Sequence, residues 1–329
     1  MMAGIEELVP LIERAEQVVL ITHIKPDGDA LGSLFGLADI LQGMGKKVFC
    51  YLEEEVPHLY GFLPGLEQVE TTVEALDHFV QDAGGDILAI ALDCGDMQRL
   101  GKSGPLLRKI HPFVVIDHHK GNNGFGDLSW VEAHRSSTGE MVCDLARALG
   151  QELSASAATC LYTAIVTDTG SFRYASTSGH THRVAAALVE RGARPGFINE
   201  KLYDCYPLGR LRLMQHVLTT LAMFADEQIA VISVTNKMLA ETGTTLDDTE
   251  NFINLPRAVK SVRVAVFLKE GPDCVSVSLR SRGCCDVSKV AVRFGGGGHV
   301  RASGFRSNGL TLDQVRAQLL PFLIEQLDC

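Results

Sequence analysis

The sequence predicts an α/β protein: an N-terminal parallel-sheet domain with helices on both faces, a helical connector, and a smaller C-terminal α/β domain. Two observations carry that expectation. Short apolar, β-branched runs alternate with helical stretches through roughly the first 190 residues, the pattern of parallel strands joined by crossover helices. Three of those runs end in polar residues, His23, Asp93 and Asp117. Open α/β sheets place ligand chemistry at such strand ends.

In order, Ile5, Leu8, Val9, Leu11 and Ile12 have helical spacing and predict an opening amphipathic helix over 5–16. Gln17–Thr22 is a compact buried strand that runs into His23-Ile-Lys-Pro-Asp27-Gly-Asp29. A helix from Ala30 to about Met44 follows, with Leu31, Leu34, Phe35, Leu37, Ala38 and Leu41 on its apolar face and Gly43 and Gly45 as its stop. Lys47–Leu52 and Asp86–Leu92 are further strands, the second ending in Asp93. A short helix at Leu106–Lys109 precedes the strand Phe113–Ile116, which delivers Asp117-His118-His119. Helices are expected over 138–149 and 154–167, the latter leading into Asp168-Thr-Gly-Ser-Phe172, and from Thr181 to Arg191.

Past Gly192 the pattern shifts. Residues 197–224 read as helical with a break near Pro207–Gly209, and alternating strands follow at Ile229–Val234, Val262–Leu268 and Cys274–Leu279. A closing amphipathic helix is expected over 312–327. The resulting boundaries are a first domain at 1–190, a connector at 191–225 and a second domain at 226–329.

A chain of 329 residues suits two domains. The net charge of −10 argues against a broad grip on long nucleic acid, which needs many Lys and Arg contacts to phosphate, but leaves room for a small anion held locally. No apolar run reaches the roughly 18 residues of a membrane helix, and the start Met1-Met-Ala-Gly-Ile-Glu-Glu lacks the basic, apolar make-up of a signal peptide. A cytoplasmic protein with no membrane association is expected. The nine cysteines show no C-x-x-C pair, consistent with buried reduced thiols.

His23, Asp27 and Asp29 occupy one turn, where Gly28 lets the backbone fold tightly; Asp27 alone could be a helix cap. With Asp93, His118 and Asp168 the set becomes two imidazoles and four carboxylates. Six mixed N and O donors exceed one catalytic zinc and suit two Mn2+ or Mg2+ ions sharing a carboxylate.

These motifs resemble the DHH phosphoesterase superfamily: His23-Ile-Lys-Pro-Asp27-Gly-Asp29, Asp93 in Leu92-Asp-Cys-Gly-Asp96, Asp117-His-His119, Asp168 in Thr167-Asp-Thr-Gly170, and Gly295-Gly-Gly-Gly-His299-x-x-Ala302-Ser-Gly304 as the signature of the DHH-associated domain. Cys94 departs from the Thr or Ser commoner there. Within the superfamily the chain is similar to stand-alone oligoribonucleases, which degrade RNAs of two to five nucleotides and often dephosphorylate 3′-phosphoadenosine 5′-phosphate. The resemblance implies one metal at His23, Asp27 and Asp93, and a second at Asp29, Asp93, His118 and Asp168, with Asp93 bridging and Mn2+ ahead of Mg2+. It implies that His119 meets the scissile phosphate or protonates the leaving oxygen, and that Asp117 orients a neighbouring histidine. It also implies that the glycine-rich segment grips a substrate end across an interdomain cleft.

The backbone N–H groups of Gly296, Gly297 and Gly298 could approach an anion closely, although such a run can equally be a flexible loop. His299, Arg301 and Ser303 follow it, and Arg280 is a candidate for a bidentate phosphate contact. Expected partners are short RNA or DNA oligonucleotides and small phosphorylated nucleosides; a homodimer stays open. Rival readings are a phosphodiesterase for a cyclic dinucleotide or its linear product, an inorganic pyrophosphatase, and a non-catalytic nucleotide sensor. The glycine–histidine segment speaks against the pyrophosphatase. A sensor would have lost a ligand, and all six are present.

Overall fold

The structure, a computed structural model, describes residues 2–83 and 87–327. The chain divides into two compact units, Met1–Cys205 and Tyr206–Cys329.

The first unit holds a six-stranded, wholly parallel sheet of β1 (Gln17–Thr22), β2 (Lys47–Tyr51), β3 (Val69–Glu70), β4 (Ile87–Leu92), β5 (Phe113–Asp117) and β6 (Leu128–Val131), in the order β3-β2-β1-β4-β5-β6. The expected first residue of β4, Asp86, lies outside the described residues. Central strands are buried on both sides, so alternate side chains feed two cores. Val18, Leu20, Leu88 and Ile90 join one cluster, and Val19, Ile21, Ala89 and Ala91 the other. Strands β3 and β6 were not apparent in the sequence: β3 is two residues long, and β6 (Leu-Ser-Trp-Val) lacks a β-branched run.

The helices are α1 (Ile5–Arg14), α2 (Gly28–Gly43), α3 (Val73–Asp82), α4 (Gly104–Leu107), α5 (Thr138–Ala148), α6 (Ala155–Asp168), α7 (Gly179–Glu190) and α8 (Pro195–Asn199), which runs into a π-helical turn at Glu200–Asp204. The first core is covered by α1, α2 and α5–α7, the second by α3 and α4. Helix α2 is buried almost all round, not along one face. A Cβ on Gly28 would sit 2.5 Å from Thr167, and one on Gly32 would sit 2.4 Å from the carbonyl oxygen of Cys160. The glycines therefore let α2 lie with its backbone against α6.

The sheet order reverses between β2 and β4, on either side of β1. This is the switch point at which open α/β sheets leave a crevice beyond their carboxyl ends. Residues His23 and Asp93 follow the two strands that flank it.

In the second unit α9 (Leu208–Thr219) precedes a mixed six-stranded sheet, β7 (Ala222–Phe224), β8 (Ile229–Val234), β9 (Val264–Glu270), β10 (Cys274–Ser281), β11 (Gly297–His299) and β12 (Ala302–Asn308), in the order β11-β12-β10-β9-β8-β7. Only β8 and β9 pair in parallel; α10 (Asn236–Thr242), α11 (Asn254–Arg257), α12 (Val287–Arg293) and α13 (Leu312–Glu325) complete two cores, one on each face. Helix was expected through residue 224. Instead Ala222–Phe224 is a strand, because it pairs antiparallel with Ile229–Val231 across a turn with Ala225, Asp226 and Glu227 at positive φ. Among the described residues seven cysteines are free, five of them buried, and Cys284 is disulfide-bonded. Among the described residues no helix is long and apolar enough to cross a membrane.

A Gly32→Ala substitution forces a methyl group onto the α6 backbone. Overpacking of this kind costs about 1–3 kcal/mol. Urea denaturation should register a loss of that size; an unchanged midpoint would mean that the two helices separate without penalty.

Candidate active site

The six acid and imidazole residues come together at the switch point. His23 directly follows β1. Its ring Nδ1 donates to the Ile24 carbonyl at 2.9 Å, and the turn is pinned by the Ile24 amide on the Arg99 carbonyl at 2.8 Å. Asp27 caps α2, its Oδ1 accepting the amides of Asp29 and Ala30 at 3.1 Å, and the same oxygen lies 4.0 Å from His23 Nε2. The capping and site readings of Asp27 are therefore both visible. Asp29, one residue into the helix, is buried and accepts the amides of Thr138 (2.7 Å) and Gly139 (2.9 Å) and the hydroxyl of Ser33 (3.1 Å).

Asp93 follows β4 with φ of +55°, a left-handed conformation that costs a non-glycine residue about 1–3 kcal/mol and is characteristic of functional positions. Its two oxygens diverge. Oδ2 lies 3.6 Å from His23 Nε2, whereas Oδ1 lies 3.6 Å from His118 Nε2 and accepts the Thr138 hydroxyl at 3.0 Å. His118 Nε2 is also 3.5 Å from Asp29 Oδ2 and 3.4 Å from Asp168 Oδ2, while its Nδ1 donates to the Arg135 carbonyl at 3.3 Å. Two clusters with no residue in common result, His23–Asp27–Asp93 and Asp29–His118–Asp168, with one Asp93 oxygen turned toward each; a third grouping, Asp93–His118–His119, overlaps both.

Asp117 and His119 form a separate pair at its edge. His119 Nδ1 donates to Asp117 Oδ1 at 2.6 Å, and Asn122 donates to Asp117 Oδ2 at 2.6 Å, so the fully buried Asp117 carboxylate is shared by two donors. His119 Nδ1 also stands 3.5 Å from Asp93 Oδ1.

The electrostatics are those of a cation site. Burial, reinforced by Asp93, Asp168 and Asp27, pushes Asp29 well above the usual carboxylate range. Burial likewise lifts Asp168 to about 6, with Asp93 and Asp27 adding to it and His118 opposing. Burial would raise Asp93 and Asp117 too, but the imidazoles of His23, His119 and His118 outweigh it at Asp93, and His119 with Asn122 at Asp117, so both lie below the usual range. Burial would lower His119, yet Asp117 and Asp93 hold it at about 9.

Two features fit a divalent ion. His23 Nε2 is a buried polar atom with no hydrogen-bond partner, which in a native structure calls for an explanation. The donor atoms around it and around His118 stand 3.4–4.0 Å apart. That is longer than the usual hydrogen bond and close to the separation of about 3.0–3.5 Å between ligands that each lie ~2.1 Å from one ion.

The C-terminal candidates are arranged differently from the sequence expectation. The segment Gly297–His299 is not a loop but edge strand β11, paired with Ala302–Gly304. Gly298, at φ of +134°, could not carry a Cβ, which would fall 2.6 Å from the Ala302 carbonyl oxygen. Hairpin closure thus accounts for this glycine without an anion. The Ser303 hydroxyl donates to the His299 carbonyl at 2.6 Å and is buried, so it is engaged within the hairpin. Arg301 is exposed in the turn, Gly296 leads into β11, and Arg280 lies in β10 with Nη1 on the Leu279 carbonyl. Thr138, Gly139, Arg135 and Asn122 were missed by the sequence reading. The run Ser136-Ser-Thr-Gly-Glu140 looks like a helix start, and its contacts with Asp29 and Asp93 are made through main chain and a single hydroxyl.

A family model described as the DHH family, N-terminal domain, matches residues 17–165, and one described as the DHHA1 domain matches 226–327. A Thermus thermophilus protein named bifunctional oligoribonuclease and PAP phosphatase NrnA is 36% identical over 311 residues, covering 94% of this chain and 90% of the relative. The chain belongs to the DHH family. The Bacillus subtilis protein of the same name is 29% identical over 308 residues, 91% of each chain. The structure also superposes on an exopolyphosphatase-related protein from Bacteroides fragilis with a TM-score of 0.89, at 29% identity and covering 98% of this chain and 95% of that one. The DHH tripeptide, Asp117-His118-His119, supplies only one of the residues in the two clusters; Asp168, at the end of α6, lies just past the matched DHH segment.

Asp168 titrates near 6 in the folded chain against an ordinary value of 3.8, and Asp29 shifts the same way. A raised carboxyl contributes stability that is complete below its unfolded value and lost as pH rises through the folded one. The metal-free chain should therefore lose thermal stability between pH 5 and pH 7.5. Added Mn2+ should raise the melting temperature more at pH 7.5 than at pH 5. Equal stabilisation at both pH values would remove these carboxylates from ion binding.

Proposed function

We propose that the chain is a two-metal phosphoesterase that hydrolyses short oligonucleotides to mononucleotides and dephosphorylates 3′-phosphoadenosine 5′-phosphate. The observation that carries the reading is Asp93, whose oxygens face two separate His/Asp clusters as a bridging carboxylate would. The names of the Thermus and Bacillus relatives support the substrate class. His23, Asp27 and Asp93 hold one ion; Asp29, Asp93, His118 and Asp168 hold the other. Imidazole donors in both sets favour Mn2+ over Mg2+, which prefers oxygen ligands and water.

Bound ions supply an activated water and neutralise charge on the phosphoryl group. The residues of the chain do the rest. His23 and His118 each donate Nδ1–H to a main-chain carbonyl, which turns Nε2 toward the carboxylates. His119 lies beside the clusters as a general acid for the leaving oxygen, with proton transfer running through Nε2 because Nδ1 is held by Asp117. In the second unit His299, Arg301 and Arg280, with the backbone of Gly296, Gly297 and Gly298, contact the substrate's phosphate or base; Ser303 serves by shaping that hairpin.

The deciding measurement is turnover, with Mn2+, of a labelled RNA dinucleotide, 3′-phosphoadenosine 5′-phosphate, linear diadenylate and pyrophosphate. Hydrolysis of the first two is expected, and cleavage of pyrophosphate alone overturns the proposal. His119→Ala should lower kcat by roughly 10²–10⁴-fold, the span of a general acid, while Mn2+ binding persists. Arg301→Ala should raise KM for the dinucleotide on the order of tenfold, the loss of one charge-assisted hydrogen bond, with kcat nearly unchanged. Wild-type KM in that variant would withdraw Arg301 from substrate binding.

A further inference from the structure

Three of the cluster side chains rest on a single five-residue segment. The Arg135 carbonyl accepts from His118 Nδ1 at 3.3 Å, the Thr138 hydroxyl donates to Asp93 at 3.0 Å, and the amides of Thr138 and Gly139 donate to Asp29 at 2.7 and 2.9 Å. These side chains follow β5, follow β4 and lie in α2, so residues 135–139 set their mutual geometry. What holds that segment is Glu140.

Glu140 is 1% exposed. Its Oε2 accepts the Ser136 amide at 3.4 Å, the Ser136 hydroxyl in a very short bond, and the Thr181 hydroxyl of α7 at 2.8 Å. Its Oε1 faces Arg135 Nη1 at 3.3 Å. A buried carboxylate is costly unless it is paired and hydrogen-bonded, and a helix cap does not require one here. Ser137 already caps α5, its hydroxyl accepting the Glu140 amide at 3.0 Å. Arg135 is in turn tethered to Glu132 (2.5 Å) and Asp144 (2.8 Å), so its carbonyl cannot turn away from His118 without breaking ion pairs.

We infer that Glu140 is a positioning residue for the centre: by clamping Ser136 and Arg135 it fixes the carbonyl, hydroxyl and amides that orient His118, Asp93 and Asp29. The inference rests on reading that centre as a metal site. Groups one step removed from the ligands are typically worth about 10–100-fold in metal affinity.

The test is Mn2+ titration of the full chain, followed by the electron paramagnetic resonance of free Mn2+, alongside thermal unfolding. Glu140→Gln keeps the side chain's size but turns an amide donor toward hydroxyls and a guanidinium. It should bind Mn2+ about 10–100-fold more weakly, with activity recovering as Mn2+ is raised and KM for the dinucleotide unmoved. Thr181→Val cuts the tie to α7 together with that helix's own capping bond to the Ser178 amide, and should lower the melting temperature while leaving Mn2+ affinity at the wild-type value. Ser136→Ala removes one clamped donor and should weaken Mn2+ binding in the same direction as Glu140→Gln, by less; should Glu140→Gln fail to fold, it decides. Wild-type Mn2+ affinity in a destabilised Glu140→Gln chain, or in Ser136→Ala, overturns the positioning role and leaves the phosphoesterase reading intact. A wild-type chain that binds no Mn2+ overturns both.

Discussion

The site depends on the close approach of two helices. Helix α2 lies against α6 so tightly that Gly28 and Gly32 have no room for a Cβ. That contact sets the first turn of α2, with Asp27 and Asp29, beside the last residue of α6, Asp168. A larger side chain at either glycine would part the helices, and Asp29 would no longer share His118 with Asp168. The interior packing of the unit and the shape of its charged centre are one constraint.

That centre is costly for the chain to hold together. Four carboxylates sit within a few ångströms, and two of them, Asp29 and Asp168, are driven upward by burial and by neighbouring carboxylates. Asp93 accepts left-handed backbone to aim its oxygens apart. The fold offsets these costs with fixed donors: two amides for Asp29, a hydroxyl for Asp93, Asn122 and His119 for Asp117. What those donors leave uncompensated is charge that a cation would neutralise, together with a buried imidazole nitrogen, His23 Nε2, that no protein group satisfies.

Much of this was legible in the sequence because strand ends announce themselves. The runs before His23, Asp93 and Asp117 are apolar and β-branched or alanine-rich, and a polar residue after each can only lie at the sheet's edge. The order of the sheet was not legible: the direction in which β2 and β4 add to β1 depends on side-chain packing over the faces, not on any local pattern. The glycine run at 295–298 shows the opposite hazard. It reads as an anion loop, yet Gly297–His299 pairs with Ala302–Gly304 as an edge strand, and a Cβ on Gly296 or Gly298 would strike that partner strand. Strand Ala222–Phe224 was hidden for a related reason, since three residues carry no periodicity of their own.

By itself the sequence determined which residues could do the chemistry, because imidazole and carboxylate after buried strands leave few alternatives, and it determined the α/β class through its alternation of strand and helix patterns. Only the tertiary structure decided how those residues divide the work. The resemblance implied a bridging Asp93 and an Asp117 that orients a histidine; that the histidine is His119, that His23 and His118 face different oxygens of Asp93, and that Glu140 ties the segment beneath them to Thr181 are read only from the distances in the fold. Such distances are set by packing and by main-chain hydrogen bonds, and neither leaves a mark in residue identity.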